Sequence, residues 1–189
     1  MRASGFTLVE LLVAMTVFGI VMTATMGAIV AIQRSYVSQR ERARAKESLR
    51  AAQMTIATAL RGAGADPTRS GLTFLDPDPL GRGRFDNIRV VSDFNPPDGD
   101  VDDLLEDIQI WIESDTLFAR WQSGGQQQPL MFPVLSLMFE YYANDGTLLT
   151  DPVQVVGATR VQFTLEAQRD PRRGTTERLE SSWIYLRNR

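Results

Sequence analysis

Apolar residues fill the start of the chain almost without interruption. From Phe6 to Ile32 the sequence runs 27 residues without proline and with one charged residue, Glu10. A helix of this length is about 40 Å long, enough to cross a hydrocarbon core of about 30 Å with some tilt. The stretch is too long for the apolar region of a secretory signal peptide, and a short polar piece, residues 1–5, precedes it. The pattern therefore predicts a membrane-spanning helix over 6–32.

After Gln33 the apolar residues adopt a helical spacing. Positions three and four residues apart form one stripe: Ala45, Leu49, Ala52, Ile56, Ala59 and Ala63. The sequence Gly62-Ala63-Gly64-Ala65-Asp66-Pro67 is a helix stop signal. The pattern predicts an amphipathic stem helix over 33–62 that continues the membrane helix, followed by a connecting loop over 63–86.

The remainder of the chain has short segments rich in β-branched and aromatic residues. They predict strands at Asn87–Val91, Ile108–Ile112, Leu117–Trp121, Val134–Tyr142, Val153–Gln168 and Trp183–Leu186. Asn144-Asp145-Gly146 is a strong hairpin turn. The expected fold class is α+β, with a long amino-terminal helix packed on an antiparallel β-sheet head over 87–189.

The amino-acid composition excludes most kinds of catalytic site. The chain has no cysteine and no histidine, and Lys46 is its only lysine. Disulfides, thiolate metal sites and the Ser-His-Asp triad are therefore excluded, together with the usual general base. An enzyme is not expected.

The net charge of −3 hides a difference between the two ends of the chain. Residues 1–62 contain eight Arg or Lys and three Glu, whereas residues 63–189 contain twelve Arg or Lys and twenty Asp or Glu. Because Lys and Arg supply most of the affinity for the phosphate backbone, an acidic head disfavours DNA binding by this chain.

Glu10 is the unusual residue of the apolar segment. A carboxylate at the centre of a bilayer costs about 2.5–3.5 kcal/mol, and less near the interface, so a partner is expected. One interpretation is that Glu10 lies close enough to the helix end to reach lipid headgroups. The other is that the chain is cut after Gly5 and that Glu10 pairs with a new amine on Phe6, at a helix end that already favours negative charge.

Gly5-Phe6-Thr7-Leu8-Val9-Glu10, followed by an apolar run, resembles the prepilin signal of type IV pilins and type II secretion pseudopilins. The resemblance implies that a prepilin peptidase cuts after Gly5 and methylates Phe6, and that Glu10 helps to set the register of each subunit in a filament. It also implies three kinds of partner: other pilin or minor pilin subunits, the peptidase and an inner-membrane assembly platform. Pilins pair a long amino-terminal helix with a carboxy-terminal sheet, which agrees with the predicted layout.

The resemblance extends loosely into the head. Phe139-Glu140-Tyr141-Tyr142 and the ending Tyr185-Leu186-Arg187-Asn188-Arg189 look like the larger minor pilins of the PilW kind or the minor pseudopilin J. The expected function is a minor pilin of a type IV pilus. A minor pseudopilin, an uncleaved membrane-anchored binding module and a DNA-uptake subunit are the alternatives.

The expected location is a single pass through the inner membrane in contact with lipid, followed by a filament at the cell surface. The basic flank after Ile32, which includes Arg34, Arg40 and Arg42, would by the positive-inside rule lie in the cytoplasm. The resemblance implies the opposite, a cytoplasmic leader and an external head.

Acidic residues cluster between Asp93 and Asp107. Oxygen ligands from such a loop suit Ca²⁺, and the candidates are Asp93, Asn95, Asp98, Asp100, Asp102 and Glu106. The spacing approaches an EF-hand loop, but Asp98 and Gly99 come one residue late. A noncanonical calcium loop and a solvated acidic turn are both open.

Overall fold

A long helix leads into two antiparallel sheets in the computed structural model, which describes residues 7–67, 69, 71–94, 96–170, 175–181 and 183–186. Helix α1 (Leu8–Gly62) is 55 residues long. The chain divides into two compact units, Met1–Ala43 and Arg44–Arg189. This architecture confirms the expected α+β class, with a long apolar amino-terminal helix ahead of an antiparallel β-sheet head.

The part of α1 in the second unit buries the stripe that the spacing predicts. Leu49, Ala52, Ile56, Ala59 and Ala63 are all buried, and Ala45 is half-buried. Ala57 and Leu60 widen the buried face, since positions one turn apart on a helix share a side.

The helix ends at Gly62, as the stop signal predicts. Gly64 follows with φ of 74°, a conformation that glycine adopts without steric cost. Its N–H donates to Val91 O at 3.0 Å, and Asp93 N donates to Ala65 O at 2.6 Å. These two bonds attach the end of the helix to the first sheet.

The first sheet has five strands in chain order. They are β1 (Leu75–Asp76), β2 (Asn87–Val91), β3 (Asp107–Glu113), β4 (Thr116–Arg120) and β5 (Gln128–Met131), each antiparallel to the next. Ile88, Ile110 and Leu117 point to the core. On the other face Arg89 forms a bidentate pair with Asp107, at 2.7 and 2.9 Å.

The second sheet is built around the pairing of β6 with β8. Its strands are β6 (Val134–Tyr142), β7 (Leu148–Leu149), β8 (Arg160–Asp170), β9 (Thr175–Glu180) and β10 (Ile184–Tyr185), in the order β10-β8-β6-β7, with β9 also paired to β8. Phe139, Tyr141 and Phe163 join the same hydrophobic core as the stem residues and the first sheet.

The strand predictions and the structure differ at several places. Val153–Gln168 is not one strand, because Asp151 caps a short helix, α2 (Pro152–Val155), before β8 begins. The predicted loop 63–86 contains β1, and β5, β7 and β9 lie outside every predicted strand. The head therefore has two sheets where the sequence suggested one.

Candidate functional site

The first turn of α1 is held by Thr7 and Glu10. The Glu10 Oε2 atom accepts hydrogen bonds from Thr7 N at 3.0 Å and from Thr7 Oγ1 at 3.1 Å. In return Thr7 Oγ1 accepts from Glu10 N at 3.3 Å. This is a capping box, in which an N-cap hydroxyl and a carboxylate three residues later satisfy each other's free backbone N–H groups.

The capping box gives Glu10 an intrachain partner that neither sequence interpretation included. Sequence reasoning missed Thr7, although the spacing Thr-x-x-Glu before an apolar run is the signal that finds it. Gly5 and Phe6, the predicted cleavage and methylation positions, lie outside the described residues.

The apolar segment after the cap is suited to lipid. Among the described residues α1 is the one helix that is long and apolar enough to cross a membrane, and its most apolar stretch is exposed throughout. The hydroxyls of Thr16, Thr23 and Thr25 donate to the carbonyls of Leu12, Gly19 and Val21, at 2.7 to 2.8 Å. These polar groups are satisfied within the helix, as a bilayer requires.

Backbone N–H groups bind two of the buried carboxylates of the acidic loop, those of Asp93 and Glu106. Asp93 accepts from Asp98 N at 3.1 Å and from Gly99 N at 3.0 Å. Glu106 Oε1 accepts from Phe94 N at 2.9 Å. Both side chains are 0% exposed, so their hydrogen bonds hold the backbone of the turn from its buried side.

Asp98, Asp100 and Asp102 are exposed, and Asp103 is half-buried. Asp98 and Asp100 accept from the backbone two residues on, at 3.3 and 3.2 Å, as Asx turns. The Asp100 side chain, through a hydrogen bond and its charge, raises the pKa of Asp102. Desolvation, followed by the charges of Glu106, Asp98 and Asp100, raises the pKa of Asp103.

Within the described ranges, no group of three or more Asp or Glu side chains is gathered closely enough to hold a metal ion by side chains alone. Asn95, the remaining candidate, falls in a gap of those ranges. Calcium binding stays a prediction of the sequence.

Comparison with protein families supports the interpretation of the helix start. Residues 1–26 match the family described as the prokaryotic N-terminal methylation motif. A comparison with curated proteins finds no match. Together with the long apolar helix, the motif indicates a type IV pilin or pseudopilin precursor, the kind of precursor that prepilin peptidase processes. Pilins and pseudopilins are structural proteins. In general such a subunit interacts with the peptidase and with other pilins, and it is anchored in a membrane before assembly.

Proposed function

We propose that this chain is a minor pilin: it is cut after Gly5, methylated on Phe6 and assembled through α1 into a type IV pilus. The observation that carries the proposal is the match of residues 1–26 to the methylation motif, at the start of an exposed apolar helix whose first charged residue is Glu10. A filament core of bundled apolar helices would bury the side chains that are exposed in the single chain.

The geometry at Glu10 leaves room for a second partner beside Thr7. Oε2 is used by Thr7, while no hydrogen bond to Oε1 is recorded within the described residues. In the proposed assembly Oε1 accepts from the Phe6 amine of an adjacent subunit. A carboxylate accepts at both oxygens, so the cap and the new pair coexist.

Two variants test the processing and assembly steps separately. We expect Gly5→Leu to leave the leader attached, so that intact mass retains Met1. We expect Glu10→Val to be cut and to stay in the membrane, yet to be absent from sheared filaments. Wild-type incorporation of the Glu10 variant would overturn the assigned role of Glu10.

The same motif serves pseudopilins, so the filament type needs its own experiment. We expect deletion of the gene to reduce surface pili while leaving protein secretion intact. Loss of secretion with normal piliation would identify a minor pseudopilin. Recovery of the uncut chain from cells that contain prepilin peptidase would identify an anchored binding module and overturn both filament roles.

A further inference from the structure

The part of α1 that directly follows its apolar segment is basic and exposed. Residues 33–43 contain Arg34, Arg40 and Arg42, with Glu41 as the one acidic residue among them. All three arginines are exposed, and no hydrogen bond or ion pair of their guanidinium groups is recorded among the described residues. These arginines, which form the basic flank of the first compact unit, therefore have their donors available for an anion from outside the chain.

Glu41 does not neutralise the arginines on either side of it. Successive residues of an α-helix project about 100° apart, so adjacent side chains do not face each other, whereas side chains three or four residues apart do. Arg40 and Arg42 are each one residue from Glu41, and Arg34 is seven residues away. The helix itself thus provides no close carboxylate for these three positive charges.

The length of the apolar segment does not fix its depth in a bilayer. From Leu8 to Ile32 the helix is about 37 Å long, which exceeds a hydrocarbon core of about 30 Å. Such a helix can tilt or shift at a modest cost, and residues at its two ends decide where it settles. One end carries the Glu10 carboxylate and the other carries the basic flank. Anionic headgroups repel the first end and attract the second.

Helix geometry brings the basic flank close to the headgroup layer. At 1.5 Å per residue Arg34 lies about 3 Å beyond Ile32 and Arg42 about 15 Å beyond it, while each headgroup layer is about 5–8 Å thick. Helical side chains lean toward the amino terminus, which here is the direction of the bilayer. Tyr36 is 67% exposed and lies one turn before Arg40 on the same face, and tyrosine is enriched at membrane interfaces. All three arginines thus lie in the layer or within about 10 Å of it, the reach of a charge at about 0.1 M salt.

We propose that the basic flank binds the headgroups of anionic phospholipids and thereby fixes the depth of α1 in the bilayer. Arg34, Arg40 and Arg42 donate to phosphate oxygens, which the planar guanidinium fork suits. The occupant is a lipid because the flank continues directly from the segment that is suited to lipid, so headgroup phosphates are the anions held nearest to it. The proposal rests on membrane anchoring of α1 and does not depend on assembly into a filament.

The test uses the full chain in phosphatidylcholine vesicles that contain a trace of spin-labelled phosphatidylglycerol or spin-labelled phosphatidylcholine. The fraction of each label that is immobilised at the protein gives the relative association of the two lipids. We expect phosphatidylglycerol to associate at least about threefold more strongly. The preference should disappear in about 1 M salt, where the Debye length falls to about 3 Å.

Variants separate the basic flank from the charge of the whole chain. Arg34→Gln, Arg40→Gln and Arg42→Gln made together should abolish the preference, and the same three positions changed to Lys should retain most of it, since the charge remains. Arg61→Gln, Arg69→Gln and Arg84→Gln made together are the matched control. They remove the same charge from exposed positions in the second compact unit, and we expect the preference to be unchanged.

A second measurement follows the depth of the helix. The chain has no cysteine, so Gln39→Cys, at an exposed position beside the flank, carries a single fluorophore. A quencher on the lipid headgroup should quench it more strongly when the vesicles contain phosphatidylglycerol, and the triple Gln variant should show no such difference. No preference in the wild type, or an equal preference in the triple Gln variant, would overturn the proposal. If the acidic head of a second chain were the occupant, the triple Gln variant would dissociate oligomers and keep its lipid preference, which would also overturn it.

Discussion

Thr7 and Glu10 each satisfy a backbone N–H of the other at the start of α1. An N-cap hydroxyl contributes about 1 kcal/mol to helix stability. We therefore expect Thr7→Val, which keeps the shape and removes the hydroxyl, to speed amide exchange at Glu10 about fivefold. The measurement is hydrogen exchange of the full chain in micelles.

Two further variants show whether such a change belongs to the cap. Thr7→Ser keeps the hydroxyl and should preserve protection. Thr16→Val removes a hydroxyl that bonds Leu12 O and should leave the first turn unchanged. Equal exchange at Glu10 in the wild type and in the Thr7→Val variant would contradict the capping role.

Tyr141 is a second residue at which a single polar atom, the side-chain hydroxyl, affects the stability of the fold. The ring is fully buried, and its hydroxyl has no hydrogen-bond partner among the described residues. Because an unsatisfied buried hydroxyl costs about 1–3 kcal/mol, Tyr141→Phe should raise the free energy of unfolding by about 1 kcal/mol. Thermal unfolding would show this as an increase of about 2–4 °C in Tm. Tyr36→Phe, at an exposed position, should have no effect.

The same variant has a defined pH dependence. Burial, followed by the charges of Asp76 and Asp78, raises the pKa of Tyr141 well above its ordinary value of 10.0. Above this value the unfolded chain loses the proton while the folded chain keeps it, so alkaline pH favours unfolding of the wild type. We expect the stability advantage of Tyr141→Phe to grow as pH rises through about 10. A constant difference across that range would contradict it.

At the scale of elements, the second half of α1 contributes directly to the core of the head. Ile56 is 0% exposed, and Met54, on the opposite face, is 72% exposed. Ile56→Ala should lower the free energy of unfolding by about 2–5 kcal/mol, and Met54→Ala by less than about 0.5 kcal/mol. All three tryptophans lie in the head, so denaturant unfolding followed by their fluorescence measures both. Equal losses in the two variants would mean that the stripe does not pack on the sheets.

The acidic loop is a separate element with its own test. Asp93 and Glu106 already bind backbone N–H groups, and no group of three carboxylates within the described ranges can hold an ion. We expect millimolar Ca²⁺ to leave the Tm unchanged, while Asp93→Ala lowers it through loss of its two backbone bonds. A rise with Ca²⁺ that disappears in Asp98→Asn would establish a calcium site.

The local sequence pattern predicted one helix end and the bounds of two strands correctly. The end of α1 at Gly62 and the bounds of β2 and β6 agree with the sequence prediction. Strand β9, with the sequence TTERLE, was missed because its one apolar residue, Leu179, gives no alternation on an edge strand. The buried position of Asp93 was not predicted, since the backbone N–H groups that satisfy it, those of Asp98 and Gly99, are brought to it by the conformation of the loop, which residue types alone do not reveal.

At the scale of the whole molecule, the order of charge along the chain opposes the proposed topology. The basic residues follow the apolar segment, and the acidic residues belong to the head. The positive-inside rule would place the basic flank in the cytoplasm. The proposed minor-pilin function instead requires a leader in the cytoplasm and a head outside the membrane. The two orientations therefore make opposite predictions for the side of the membrane on which the head lies.

The absence of cysteine makes this orientation directly measurable. We expect Ser123→Cys, at an exposed position of the head, to react with a membrane-impermeant maleimide added from the periplasmic side. Ser4→Cys, in the leader, should react only after the membrane is opened, and its label should be lost once the leader is cut. Because no native thiol competes, each signal reports one position. Protection of Ser123→Cys in intact spheroplasts would place the head in the cytoplasm, and a head on that side could not join a filament outside the membrane.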